Sequence, residues 1–185
     1  MRTAYLYLLF LSLFATGCTS STRQTDKERL YVSILPLRSL VEQIVGDDFK
    51  VDVLVPAGAS PESFEPTPRQ YVALNRSKLV FNVGLIDFEQ NLFPDREKLV
   101  NLSRGIRLLE GSCAHGHTHE PTGKARASEG HAHGIDPHIW TSPRALKQMA
   151  ANAYDALRTS FPDSVRYTEN YEKLLVRLDS LDTAC

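Results

Sequence analysis

The chain has 185 residues, with 21 Lys and Arg against 22 Asp and Glu, for a formal net charge of −1. A balance so close to zero gives no argument for nucleic acid, and no nucleic-acid partner is expected. Three cysteines are too few for a disulfide framework, although a bond between Cys113 and Cys185 is open outside the cytoplasm.

Met1-Arg2 gives a short positive start, and Ala4 to Ala15 follows as one uncharged apolar run. The run is shorter than the roughly 20 apolar residues of a spanning helix. It fits the apolar region of a signal peptide, and small residues follow it. Ala15-Thr16-Gly17-Cys18 has the pattern of a bacterial lipobox, with Ala where Leu is usual. The alternative is an ordinary secretory signal with Cys18 incidental. The expected organisation is a signal peptide over 1–17, lipidation at Cys18 and a polar tether over 18–29. A lipid of several chains adds about 0.8 kcal/mol of membrane affinity per buried methylene. This places the chain in the cell envelope, anchored to the membrane and facing the periplasm or the exterior.

The body alternates strand and helix signals. Leu30 to Leu35 is a short apolar run stopped by Pro36. Leu37, Leu40, Val41, Ile44 and Val45 keep helical spacing up to Gly46. Lys50 to Val55 alternates as a strand does, and the Pro- and Gly-rich loop 56–68 follows. Pro68 opens a helix to about Ser77. Leu79 to Val83 predicts a buried strand, Phe88 to Phe93 a short helix, and Leu99 to Leu102 a weak fourth strand. Four such alternations predict an α/β fold with a four-stranded parallel sheet flanked by helices. Ligands in such sheets sit at the carboxyl ends of the strands, which points to the loops after Leu35, Val55 and Val83. From Glu110 to Ile135 the chain turns to Gly, His, Ser and Thr, which predicts a disordered insertion. Ser142 as cap and Pro143 at the first helical position open a helix to Ser160. A last helix follows Pro162, capped by Asp163 or Ser164, with Tyr167, Tyr171, Leu174, Leu175, Leu178 and Leu181 at helical spacing.

Five of the six histidines cluster as His115, His117, His119, His131 and His133. Neutral imidazole is a common metal ligand, and the intervening glycines let the backbone wrap an ion. The bland alternative is a solvated, tag-like tract. His138, in Asp136-Pro137-His138-Ile139-Trp140, is on spacing alone as much a hydrogen-bonded core histidine as a ligand. In the loop Pro56 to Pro68, Glu62 and Glu65 are candidate ligands, or one of them caps the next helix. No G-x-S-x-G, H-E-x-x-H or glycine-rich phosphate loop is present, so the chain is expected not to be an enzyme.

These segments together resemble a known family. The lipobox, Pro56-Ala-Gly58-Ala-Ser60-Pro61 with Phe64-Glu65-Pro66-Thr67-Pro68, Asn82-Val83-Gly84 with Phe88-Glu89, and Asp136-Pro137-His138-Ile139-Trp140 with Ser142-Pro143 occur in the order found in zinc- and manganese-binding lipoproteins of ABC importers. The histidine tract resembles the zinc branch, and the resemblance runs from about Leu30 to the chain end. It implies an amino-terminal lobe over 30–162 and the start of an inter-lobe helix over 163–185, with the second lobe absent from this sequence. It also implies a cleft metal held by His138 and by the position of Glu62, where the family usually has histidine. A carboxylate oxygen binds zinc at about 2.0–2.2 Å, and harder ligands also suit manganese. Zn²⁺, with Mn²⁺ as the alternative, and an ABC permease as partner follow from the resemblance. A surface metal buffer or adhesion-type lipoprotein is the other reading.

Overall fold

The computed structural model describes residues 27–92, 96–108 and 135–184. Four strands, β1 (Arg29–Val32), β2 (Lys50–Val53), β3 (Val80–Asn82) and β4 (Leu99–Asn101), form one parallel sheet in the order β2-β1-β3-β4. Among the described residues five α-helices accompany them: α1 (Leu35–Val45), α2 (Pro68–Arg76), α3 (Asp87–Gln90), α4 (Pro143–Ser160) and α5 (Arg166–Ala184).

Alternation along β1 sorts these helices into two layers. Leu30 and Val32 join a core with Leu37, Leu40, Val41 and Ile44 of α1, Met149, Ala153 and Leu157 of α4, and Tyr167, Leu174 and Leu178 of α5. Tyr31 faces the other way, into a smaller core with Leu54, Leu74 and Leu92, where Phe88 also packs. Each large apolar side chain so buried contributes roughly 1.5–3 kcal/mol. Strand β2 is an edge, and Asp52 there accepts from Arg29 (2.9 Å) and pairs with Lys50 (3.1 Å). Charge on an edge discourages further strand pairing.

The element boundaries differ slightly from expectation. Leu35 does not extend the first strand. Ladder bonding from β1 ends with Ser33, whose N–H reaches the Phe81 carbonyl (2.9 Å) and whose carbonyl accepts from Val55 (3.0 Å). Pro36 therefore falls in the first turn of α1 rather than ending a strand, a position that tolerates its missing N–H. Gly46 ends α1 with φ +58° and donates to the Glu42 carbonyl (2.9 Å). The polar tether expected through residue 29 gives way earlier, since Glu28 pairs with Lys78 (2.8 Å) and Arg29 opens β1. Helix α5 begins at Arg166, after turns closed on the carbonyls of Phe161, Ser164 and Val165, so Asp163 and Ser164 precede it. Cys18, Cys113 and the five clustered histidines lie outside the described residues.

Helix α4 runs against the strand direction. Asn152 Nδ2 donates to the Leu102 and Arg104 carbonyls, 2.8 Å each, just past the carboxyl end of β4. Thr159 and Ser160 line a cavity with Leu79 and Glu97, ahead of the amino ends of β3 and β4. The amino-terminal part of α4 therefore lies toward the carboxyl edge of the sheet and its end toward the amino edge. Helix α5 returns alongside. Arg166 pairs with Asp48, Asn170 donates to the Ile44 carbonyl (3.0 Å), and Lys147 of α4 pairs with Asp179 and Asp182. Tyr154 and Tyr171 stack between α4 and α5 at 4.3 Å.

The Asn152 bonds generate a prediction. Asn152→Ala leaves two carbonyls without their donor, and we expect a loss of about 1–3 kcal/mol in urea unfolding. A loss below about 0.5 kcal/mol, the level of an ordinary surface change, would show that these two bonds do not hold α4.

Candidate metal centre

His138 belongs to a short turn at the base of α4. Ser142 caps that helix by accepting from the Ala145 N–H (3.4 Å), as the Ser-Pro pair implies. Asp136, two residues before His138, closes the turn. Its Oδ1 accepts from the His138 backbone N–H (2.9 Å) and lies 2.7 Å from Nδ1 of the ring. An Asx side chain bonding the backbone two residues on is a local turn device, and Pro137 between them restricts the approach. These two bonds from His138, the backbone one first, hold the Asp136 carboxyl below the usual carboxylate range.

An ionised carboxylate can only accept, so Nδ1 of a neutral His138 carries the hydrogen and Nε2 keeps its lone pair. This is how metal-binding imidazoles are oriented by an outer partner. The His138 side chain is 57% exposed, which rules out a core histidine. Trp140 flanks the ring, with centroids 5.1 Å apart.

Glu62 stands in the Pro61–Ser63 turn that follows β2, exposed to solvent. It borders an open cavity of about 440 Å³ with Glu65, Tyr71, Asp87 and Phe88. Phe64 meets Phe88 edge-on at 5.3 Å. Neither glutamate of the loop caps α2. Thr67 does so, accepting from the Gln70 N–H while Gln70 Oε1 accepts from the Thr67 N–H (2.9 Å). Gln70 Nε2 also donates to the Leu54 carbonyl at the end of β2 (2.9 Å), which fixes the far end of the loop. Among the described residues no three His, Cys, Asp or Glu side chains gather as a metal cluster.

Two participants escape a reading of spacing. Asp136 carries a signal, since Asp two residues before His with proline between is the sequence of such a turn. Glu89 carries none. Its carboxylate is 1% exposed and accepts from the N–H groups of Val83 (3.0 Å), Gly84 (2.6 Å) and Ile86 (3.4 Å). Burial pushes its carboxyl up from the ordinary value, opposed by the Ser33 hydroxyl beside it and by these donors. Gly84 has φ +80°, and a Cβ there would collide with the Asn101 side chain.

The family described as zinc-uptake complex component A, periplasmic (ZnuA), matches residues 30–185. The chain belongs to this family. Its description is that of a component of an uptake complex, not of an enzyme. High-affinity zinc uptake system protein ZnuA of Bacillus subtilis (strain 168) is 30% identical over 187 residues, covering 94% of this chain and 56% of that protein. A zinc-bound deletion mutant of ZnuA superposes with a TM-score of 0.68 at 30% identity, covering 86% of this chain and 57% of the other. SBP FpvC of Pseudomonas aeruginosa, solved with Mn²⁺, shares the fold with a TM-score of 0.67 at 23% identity, over 84% of this chain and 54% of its own. The chain spans about half the length of these relatives. The family resemblance read from the motifs is thus shown, and so is the four-stranded α/β fold.

Asp136→Ala frees the His138 ring to rotate. We expect metal affinity to fall about 10- to 100-fold with urea unfolding unchanged, since the pair is exposed. Unchanged affinity in a competition titration would remove Asp136 from the centre.

Proposed function

We propose that this chain supplies the amino-terminal metal-binding lobe of a lipid-anchored zinc-binding protein that hands its ion to the permease of an ABC importer. The carrying observation is the exposed His138 imidazole, held at Nδ1 by Asp136 with Nε2 free, in a member of a zinc-uptake family. Glu62, in the turn after the edge strand β2, is the second donor of this lobe. Glu62 lies in the loop after β2, at the carboxyl side of the sheet, where α/β folds bind ligands.

Two donors do not complete a tetrahedral zinc site, so ligands from outside this lobe finish the coordination. The histidines 115, 117, 119, 131 and 133 serve as an accessory collector that raises the local ion concentration near the cleft. Lipidation at Cys18 keeps the protein at the membrane, where the permease is. Zinc is the leading cargo because imidazole and the histidine tract favour it, and Glu62 in place of histidine widens tolerance toward Mn²⁺. The family description and the Bacillus subtilis relative carry zinc uptake in their names, and the adhesion reading draws no support from them.

Isothermal titration of residues 19–185 with zinc tests this. Binding is expected, and His138→Ala should weaken the cleft component at least tenfold, about 1.4 kcal/mol. Replacing the five clustered histidines should remove weaker additional sites and leave the His138-dependent one. The reading is lost if zinc does not bind, or if neither set of replacements alters binding.

A further inference from the structure

We propose that Glu89 is a positioning residue for the metal centre, setting the place of Glu62 through the aromatic pair Phe88–Phe64. The inference rests on the assignment of Glu62 as a donor.

Helix α3 is a single turn, Asp87–Gln90, too short to hold its shape by its own hydrogen bonds. The Glu89 carboxylate fixes it by gathering the N–H groups of Val83, Gly84 and Ile86 from the loop that leads into it. Those residues continue β3, so the helix is pinned to the sheet through one buried side chain. The ends of the other strands close round the same group. Ser33, after β1, places its buried hydroxyl beside the carboxyl without reaching good hydrogen-bond geometry. Asn101, ending β4, packs against Gly84 so closely that no side chain fits there.

What α3 presents outward is Phe88. Its ring takes the edge of Phe64, the residue that ends the turn carrying Glu62. Among the described residues, 60–66 make no hydrogen bond to another element, so Phe64 ties them to the sheet by packing, against Phe88 and against both apolar cores. Through Phe88, the buried Glu89 carboxylate thus contributes one of the contacts that set where the exposed Glu62 carboxylate stands.

A double-mutant cycle on the whole chain in detergent, read by competition with a chromophoric zinc chelator, tests the route. Glu89→Gln keeps the size of the side chain and replaces an acceptor oxygen with a donor that opposes the loop N–H groups. Zinc affinity is expected to fall about tenfold. In a Glu62→Ala background the same change should cost nothing further, because the residue it acts through is gone. Equal losses in both backgrounds would overturn the proposal and leave Glu89 as a general stabiliser. No loss from Glu89→Gln where Glu62→Ala does weaken binding would overturn it as well. If Glu62→Ala leaves zinc binding intact, the assignment of Glu62 fails first and takes the inference with it. A metal-free readout runs beside these: amide exchange over residues 60–66 should quicken in Glu89→Gln, and unchanged exchange contradicts the route. Should Glu89→Gln fail to fold by circular dichroism, Phe88→Leu breaks the aromatic contact and runs the same cycle with the same outcomes.

Discussion

Strand β1 is hydrogen-bonded on both sides, to β2 and to β3, and both run parallel to it. Parallel neighbours cannot be joined by a tight turn, so each connection must cross a face of the sheet. The connection from β1 to β2 goes over one face, as α1, and that from β2 to β3 over the other, as α2. The loops leaving β1 and β3 consequently part in opposite directions. This divergence opens a crevice at the carboxyl edge, bordered by Ser33 after β1 and by the Glu89-held loop after β3. Burial of β1 on both faces, with Leu30 and Val32 on one side and Tyr31 on the other, makes the arrangement cohesive.

Two carboxylates illustrate how differently the same group is used at that edge. Asp136 is exposed, and its bonds from His138 hold its carboxyl below the ordinary range. It acts on one neighbour, two residues away. Glu89 is buried, and desolvation pushes its carboxyl up. Its bonds reach only along its own loop, but the loop joins β3 to α3, so its influence extends across the sheet edge. One is a local orienting device, the other a fastening between elements.

Much of this was legible in the sequence. The α1 residues Leu37, Leu40, Val41, Ile44 and Val45, chosen by spacing, are all buried. Helix α4 spans Pro143–Ser160 as its cap and proline imply. What the sequence concealed was non-local. Leu35 continues an apolar run but lies past the strand's last partners, so it enters a helix. Glu62 looks like any loop glutamate until Phe64 is seen against Phe88, a contact between segments that follow different strands. The burial of Glu89 depends on a loop folding back over its own helix, for which no periodicity exists. His138 stood undecided between core and ligand because spacing does not show exposure.

The tryptophan beside that histidine has a practical meaning. It is the only one in the chain, and its ring centre lies 5.1 Å from the imidazole. Every indole photon the protein emits thus originates at one place, against the ring whose protonation or coordination is in question. The molecule carries its own optical gauge of that position, already installed and free of background from any second indole.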